Sequence, residues 1–333
     1  MRDPSFWWRP AGIVSALLAP IAIPYGALAR SRMAQAGSAA GVPVICIGNP
    51  TIGGAGKTPT ALAVAKLLRL AGRHPFFLSR GYGGDFPGPV RVDSRIHRAR
   101  QVGDEALLLA RVAPTIVAHD RVAGANAARV SGADVIVMDD GFQNPSLKKN
   151  LSILVIDGRR GIGNGRVFPA GPLRAPFADQ LSRAQAVLVI GDLSGAETVV
   201  SAAKSKNLPL FHGRLVPDQK SLAALESLKV LAFAGIGNPE KFFATLAEAQ
   251  IDVQARQPFP DHYQYQPADA AALLARAERE GLSLVTTEKD AARLIGEPGM
   301  EDLTKAAWSL PVTLVVEQER AFADLVLGAA TPN

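Results

Sequence analysis

The sequence predicts an α/β protein built on a doubly wound, mostly parallel sheet, with a second, smaller α/β lobe and an N-terminal membrane-associated helical segment. Apolar runs of β type alternate with helical stretches from residue 42 to 190, the pattern a parallel sheet requires because each crossover must return over one of its faces. A glycine-rich loop, GNPTIGGAGKTP, separates the first of those runs from a helical stretch, which makes the sheet one of P-loop NTPase type. Residues 11–29 carry no charged side chain.

That uncharged stretch, AGIVSALLAPIAIPYGALA, follows Phe6-Trp7-Trp8-Arg9 and precedes Arg30-Ser31-Arg32. As a straight helix it would reach about 28 Å, close to the ~30 Å hydrocarbon core of a bilayer. Pro20 and Pro24 each remove a backbone donor and tend to kink such a helix. Asp3, beside Arg2 and Arg9, fits a secretory signal poorly. We read residues 1–33 as an in-plane or shallowly inserted anchor, with Trp at headgroup depth and Arg near anionic phosphates. A helix hairpin packed on the protein's own core is the alternative.

After a linker of small residues at 34–41, strands are expected at 42–47, 75–79, 115–118, 134–138, 151–156 and 186–190. Helices are expected between them at 58–70, 105–111 and 121–130. Residues 208–215 read as a strand or a linker. A second β/α unit begins at Lys229 and continues through apolar runs at 282–286 and 312–316. The boundary therefore falls near residue 225, dividing a P-loop lobe, 34–225, from a smaller C-terminal lobe, 226–333.

Composition bounds the chemistry. The chain of 333 residues is 48% hydrophobic and 20% charged, a globular balance that excludes a mainly disordered protein. Its single cysteine, Cys46, allows no internal disulfide and reads as a small buried hydrophobe in a reducing compartment. The formal charge of +6 favours anionic partners. The basic residues are dispersed among acidic ones without an aromatic-basic stripe, which argues against nucleic acid.

Within the loop, Thr51, Ile52, Gly53, Gly54, Ala55, Gly56, Lys57 and Thr58 are the candidate nucleotide contacts. Glycines let successive N–H groups turn toward phosphate oxygens, and the following helix adds its positive end. Lys57 should reach the β and γ phosphates and the Thr58 hydroxyl should ligate Mg²⁺. The standard pattern has glycine where Thr51 stands. A P-loop also needs an acid at the end of a neighbouring strand; the run 134–138 supplies it in Asp139, followed by Asp140 and, in the same DDGFQ turn, Gln143. Asp104 and Glu105 in VGDEA open a helix, where Asp104 could equally be an N-cap. His262 lies in the turn-rich FPDHY.

Together these stretches resemble the tetraacyldisaccharide 4'-kinases over nearly the whole chain. The resemblance rests on the FWW–apolar segment, GNPTIGGAGKTP, LSRGYGG, VGDEALLLA, AHDR, VMDDGFQ, FPAGPLRAP, AFAGIGNPEKFF, FPDHYQY and LVTTEKDAARL, in that order. It implies transfer of the γ-phosphoryl group of ATP, with Mg²⁺, to the 4'-hydroxyl of an anionic glycolipid, a tetraacylated disaccharide 1-phosphate of lipid A synthesis. It places the reaction at the cytoplasmic face of the bacterial inner membrane, with no obligate protein partner. It implies Asp104 as the group that draws the hydroxyl proton, His262 as its partner and Lys57 as a catalytic cation. Thr58, Asp139 and Glu105 would serve the metal, while Asp140, Gln143, Arg80, Tyr82, Arg121 and Arg174 would face phosphates or sugar. Because His262 lies in the other lobe, the Asp104–His262 pair is expected to form as the lobes approach.

Overall fold

The computed structural model describes residues 3–331. Among these residues thirteen strands form two sheets. In the large lobe they are β1 (Val44–Gly48), β2 (Pro75–Ser79), β3 (Val90–Arg91), β4 (Thr115–Val117), β5 (Val135–Asp139), β6 (Leu151–Asp157), β7 (Ala186–Ile190) and β8 (Leu210–Pro217). The small lobe holds β9 (Lys229–Ala234), β10 (Asp252–Pro258), β11 (Ser283–Thr287) and β12 (Ala307–Leu310), and β13 (Val312–Val316) follows.

The large sheet runs β13-β8-β7-β6-β1-β5-β2-β4-β3. All its pairings are parallel except those of the two edge strands, β3 on β4 and β13 on β8. Its central strands are apolar without alternation because both faces are covered. Ile45, Ile47, Val137 and Ile153 pack on one face against the helix Lys57–Leu70, and Cys46, Ile136, Met138 and Leu154 pack on the other against the helix Arg121–Val130. Cys46 is buried and unpaired, as expected for a small core residue. The small sheet, β10-β9-β11-β12, is parallel throughout.

Of the two readings of 208–215, the strand holds, as β8 over Leu210–Pro217. One expectation is corrected. The segment from β13 onward leaves the C-terminal lobe and returns to the large sheet, where β13 pairs antiparallel with β8. The helix Glu319–Ala329 follows it, placing Phe322, Val326 and Ala330 in the same core layer as Ile45 and Val64. Phe322 meets Phe211 of β8 edge to face at 5.2 Å. The physical reason is the exposed edge of β8, whose unpaired N–H and C=O groups need a partner strand that chain order alone does not specify.

The N-terminal segment is one continuous helix, Ile13–Met33, rather than a hairpin, and it runs through both Pro20 and Pro24. Among the described residues it alone is long and apolar enough to cross a membrane, by length and composition. Only a narrow stripe, Ser15, Ala22, Gly26 and Met33, is buried on the protein, while Ile13, Leu17, Ile23 and Leu28 are 69–80% exposed. This unpartnered apolar face is weak evidence of membrane association. The helix is fastened at several points. Trp7 Nε1 donates to the Pro169 carbonyl at 3.0 Å, Asn164 Nδ2 to Ser15 Oγ at 2.9 Å, and Arg30 pairs with Asp179 at 2.6 Å. Tyr25 and Trp7 both pack on Phe168, so the helix rests on the FPAGPLRAP segment.

Candidate active site

The glycine-rich loop follows β1 and ends at Gly56, whose left-handed backbone (φ +92°) opens the helix Lys57–Leu70. The N–H groups of Gly53, Gly54 and Ala55 find no backbone acceptor among the described residues, and a Cβ on Gly54 would meet nothing within 4 Å. These free donors at a helix N-terminus form a phosphate cradle. Thr51, placed among the nucleotide contacts by sequence, is instead turned behind the loop and does not line the cleft. It bridges to Leu173, and its carbonyl accepts from Asn49 Nδ2 at 2.8 Å and Arg174 Nε at 2.9 Å. Its φ is not positive, which explains why threonine can stand where the pattern has glycine.

Lys57 is buried; its Nζ donates to Asn49 Oδ1 at 3.0 Å and lies 3.7 Å from Asp140. Burial lowers its pKa, and Asp140 opposes that. Parallel pairing sets β5 directly beside β1, with Asp139 opposite Ile47, so the acid lands under the loop. Thr58 Oγ1 stands 3.4 Å from Asp139 Oδ2, while Asp139 Oδ1 is buried without a hydrogen-bond partner among the described residues. Burial, reinforced by the charge of Glu105, pushes Asp139 up to about 7. An orphaned carboxylate oxygen beside a P-loop threonine fits a hard cation, and Thr58 and Asp139 would hold Mg²⁺ together with phosphate oxygens. Among the described residues no three His, Cys, Asp or Glu side chains form a self-sufficient metal cluster. Glu105, the third expected metal residue, lines the cleft with its carboxylate ion-paired to Lys289.

Asp140 adopts φ +53° and binds Arg174 Nη1 at 2.8 Å. Burial raises its pKa, but Lys57 and Arg174 outweigh that and hold it at about 2. Gln143 Nε2 donates to the Asn49 carbonyl at 2.8 Å and to Gln180 Oε1 at 2.9 Å, so it braces the loop as well as lining the cleft. Arg121 is buried, and its Nε has no hydrogen-bond partner among the described residues. Burial, then the like charge of Arg80, lowers its pKa to about 10. Two neighbouring guanidiniums so placed suit an anionic group between them.

Asp104 and His262 meet across the lobes, Oδ1 to Nδ1 at 3.5 Å, and Tyr82 packs on the imidazole at 4.8 Å between centroids. The expected pair is therefore present with the lobes as they stand. Asp104 is nearly inaccessible and lies behind His262, which itself lines the cleft. It is held ionised: burial opposes this, but His262 and Arg293 push its pKa far down. Gly103 makes the placement possible, since its φ is +86° and a Cβ there would meet the Tyr82 carbonyl at 2.6 Å. Gly103→Ala is expected to cost about 1–3 kcal/mol of stability through backbone strain. By moving Asp104 it should also slow turnover roughly tenfold or more; urea unfolding beside a turnover assay checks both.

All these groups line or border one cleft of about 1610 Å³ between the lobes. Sequence reasoning missed Asn49, Gln180, Lys289 and Arg293. Asn49 and the TTEKDAARL stretch were visible as motifs, but nothing local shows that Asn49 receives Lys57 or that Lys289 and Arg293 cross to the other lobe.

The sequence profile of the family described as Tetraacyldisaccharide-1-P 4'-kinase matches residues 14–331. The chain belongs to this family. Curated tetraacyldisaccharide 4'-kinases from Rhodopseudomonas palustris (strain BisA53) and Methylobacterium sp. (strain 4-46) are 55% and 57% identical to it. The first match covers 99% of this chain and 97% of the relative; the second covers 88% and 89%. The fold matches LpxK from Aquifex aeolicus, solved in complex with ATP, with a TM-score of 0.74 at 25% identity, covering 96% of this chain and 100% of that one. This tetraacyldisaccharide 4'-kinase family member is thus an enzyme, a kinase, and its likeness to the ATP-complexed neighbour supports ATP binding.

Proposed function

We propose that the protein transfers the γ-phosphoryl group of ATP to the 4'-hydroxyl of tetraacyldisaccharide 1-phosphate, in the synthesis of lipid A. The observation that carries the reading is the convergence, in one cleft, of the P-loop Lys57, the orphaned Asp139 and the His262–Asp104 pair. A Mg²⁺ ion held by Thr58 and Asp139 would neutralise charge on the phosphates.

The chain's own residues account for the rest. The amides of Gly53, Gly54 and Ala55 grip the phosphates, and Lys57 exchanges Asn49 for a phosphate oxygen. His262, backed by ionised Asp104, accepts the proton of the attacking hydroxyl or shares it with Asp104. Arg121 and Arg80 face the anionic acceptor, while Arg174 steadies both Asp140 and the loop. Burial of the site between lobes raises the value of each fixed charge, and alignment does most of the work.

The exposed face of Ile13–Met33 supports a shallow anchor at the cytoplasmic face of the inner membrane, which would bring a lipid acceptor to the cleft. The helix rests on the same segment that carries Arg174, which links the anchor to the site. Purified protein with ATP, Mg²⁺ and the disaccharide lipid in detergent is expected to yield a bisphosphorylated product. ATP binding without transfer would overturn the reading. The full chain is expected to float with anionic vesicles and a chain lacking residues 1–33 to remain below; equal recovery would remove the anchor.

A further inference from the structure

We infer that Arg293 is a positioning residue for the Asp104–His262 pair, a guanidinium from the small lobe that fixes Asp104 in the orientation His262 uses. The inference rests on the kinase reading above.

The argument starts in the core of the small lobe. Asp290 is fully buried and accepts from the Gly235 amide at 3.0 Å, the Tyr265 hydroxyl at 2.9 Å and Thr287 Oγ1 at 2.6 Å. Arg293, three residues further along the helix Glu288–Leu294, places Nη1 on Asp290 Oδ1 at 2.8 Å and on the Gly235 carbonyl at 2.6 Å. One edge of the guanidinium is therefore fixed by its own lobe. The other edge crosses to the large lobe, where Nε donates to Asp104 Oδ2 at 2.8 Å and Nη2 donates to the same oxygen.

The Gly235 carbonyl also accepts from the backbone amide of His262 at 3.0 Å. A single small-lobe unit thus presents the imidazole to Asp104 Oδ1 and the guanidinium to Oδ2. Among the described residues of the large lobe, only the Glu105 amide donates to the Asp104 carboxylate, at 2.9 Å. Without Arg293, Oδ1 would keep the Glu105 amide and the imidazole, while Oδ2 would have no hydrogen-bond partner among the described residues to set the carboxylate plane. With it, the plane of the carboxylate is set by the seating of the small lobe. A lysine could supply charge but not the planar fork that serves Asp104, Asp290 and Gly235 together.

A buried ion pair can be merely structural, so the test uses readouts that a structural role would not move. Wild type and variants are assayed with ATP and tetraacyldisaccharide 1-phosphate, and each is followed by thermal unfolding. Arg293→Ala is expected to lose about 10²-fold in kcat with KM for ATP within about threefold, and Arg293→Lys about tenfold in kcat. The double variant Asp104→Ala/Arg293→Ala should be no slower than Asp104→Ala alone, because both remove the same function. Should Arg293→Ala not remain folded, the same cycle is run with Arg293→Lys. Wild-type kcat in either variant, a loss confined to KM for ATP, or multiplicative effects with Asp104→Ala would overturn the inference. A wild type that binds ATP but transfers nothing to the lipid would instead overturn the kinase reading.

Discussion

Lys57→Ala is expected to slow phosphoryl transfer by on the order of 10³-fold, the scale of losing one preorganised charge donor in a dry site. The side chain is buried and already aimed into the loop by Asn49 at 3.0 Å, so its ammonium needs little reorganisation to reach a phosphate. The fold should survive. Removing Lys57 leaves Asp140 its partner Arg174 and relieves the burial of a cation that is disfavoured there. Steady-state kinetics paired with a thermal melt checks this: a large fall in kcat with a midpoint near that of wild type is the expected result. Transfer within about tenfold of wild type would remove Lys57 from the machinery.

Asp139→Asn should separate function from stability. Transfer is expected to fall by roughly 10²–10³-fold, because the variant lacks the anionic oxygen that faces a cation. The protein without nucleotide should nevertheless become more stable. Burial raises Asp139 from 3.8 to about 7. Between those values the folded state keeps a proton that the unfolded chain has lost, so stability falls as pH rises through that window, and the penalty is complete above it. The asparagine carries no such penalty. The difference in melting midpoint, variant above wild type, should therefore grow from pH 5 to about pH 7 and then level off. Mg²⁺ with ATP should raise the wild-type midpoint more than that of the variant. A pH-independent difference would show that burial of this carboxylate is not what the fold pays for.

Much of the site was legible because its parts are local or follow a general rule of parallel sheets. The run from β1 through Gly56 to Thr58 is a strand, a turn and a helix start in unbroken sequence. Asp139 could be assigned because an acid at the end of an adjacent strand is what a P-loop uses, and β5 pairs with β1 as that requires. Thr51 was misplaced because the motif records which residue lies in the loop, whereas only the bridge to Leu173 shows which way it turns. Asp104 and His262 were named through the family resemblance. Their distance, and the position of Asp104 behind the imidazole, came from the packing of two lobes.

The sequence by itself determined the local chemistry: the phosphate loop, the acid after β5, an uncharged segment at 11–29 and the alternation that makes a parallel sheet. Each depends on neighbours within one element or on the periodicity of that element. Tertiary structure alone decided which edge β13 would cover, which face of the N-terminal helix stays exposed, and that Arg293 would reach Asp104 from 189 residues away. Those outcomes depend on burying a common core and satisfying unpaired edges and charges, and such constraints act between elements whose separation along the chain carries no information about their contact.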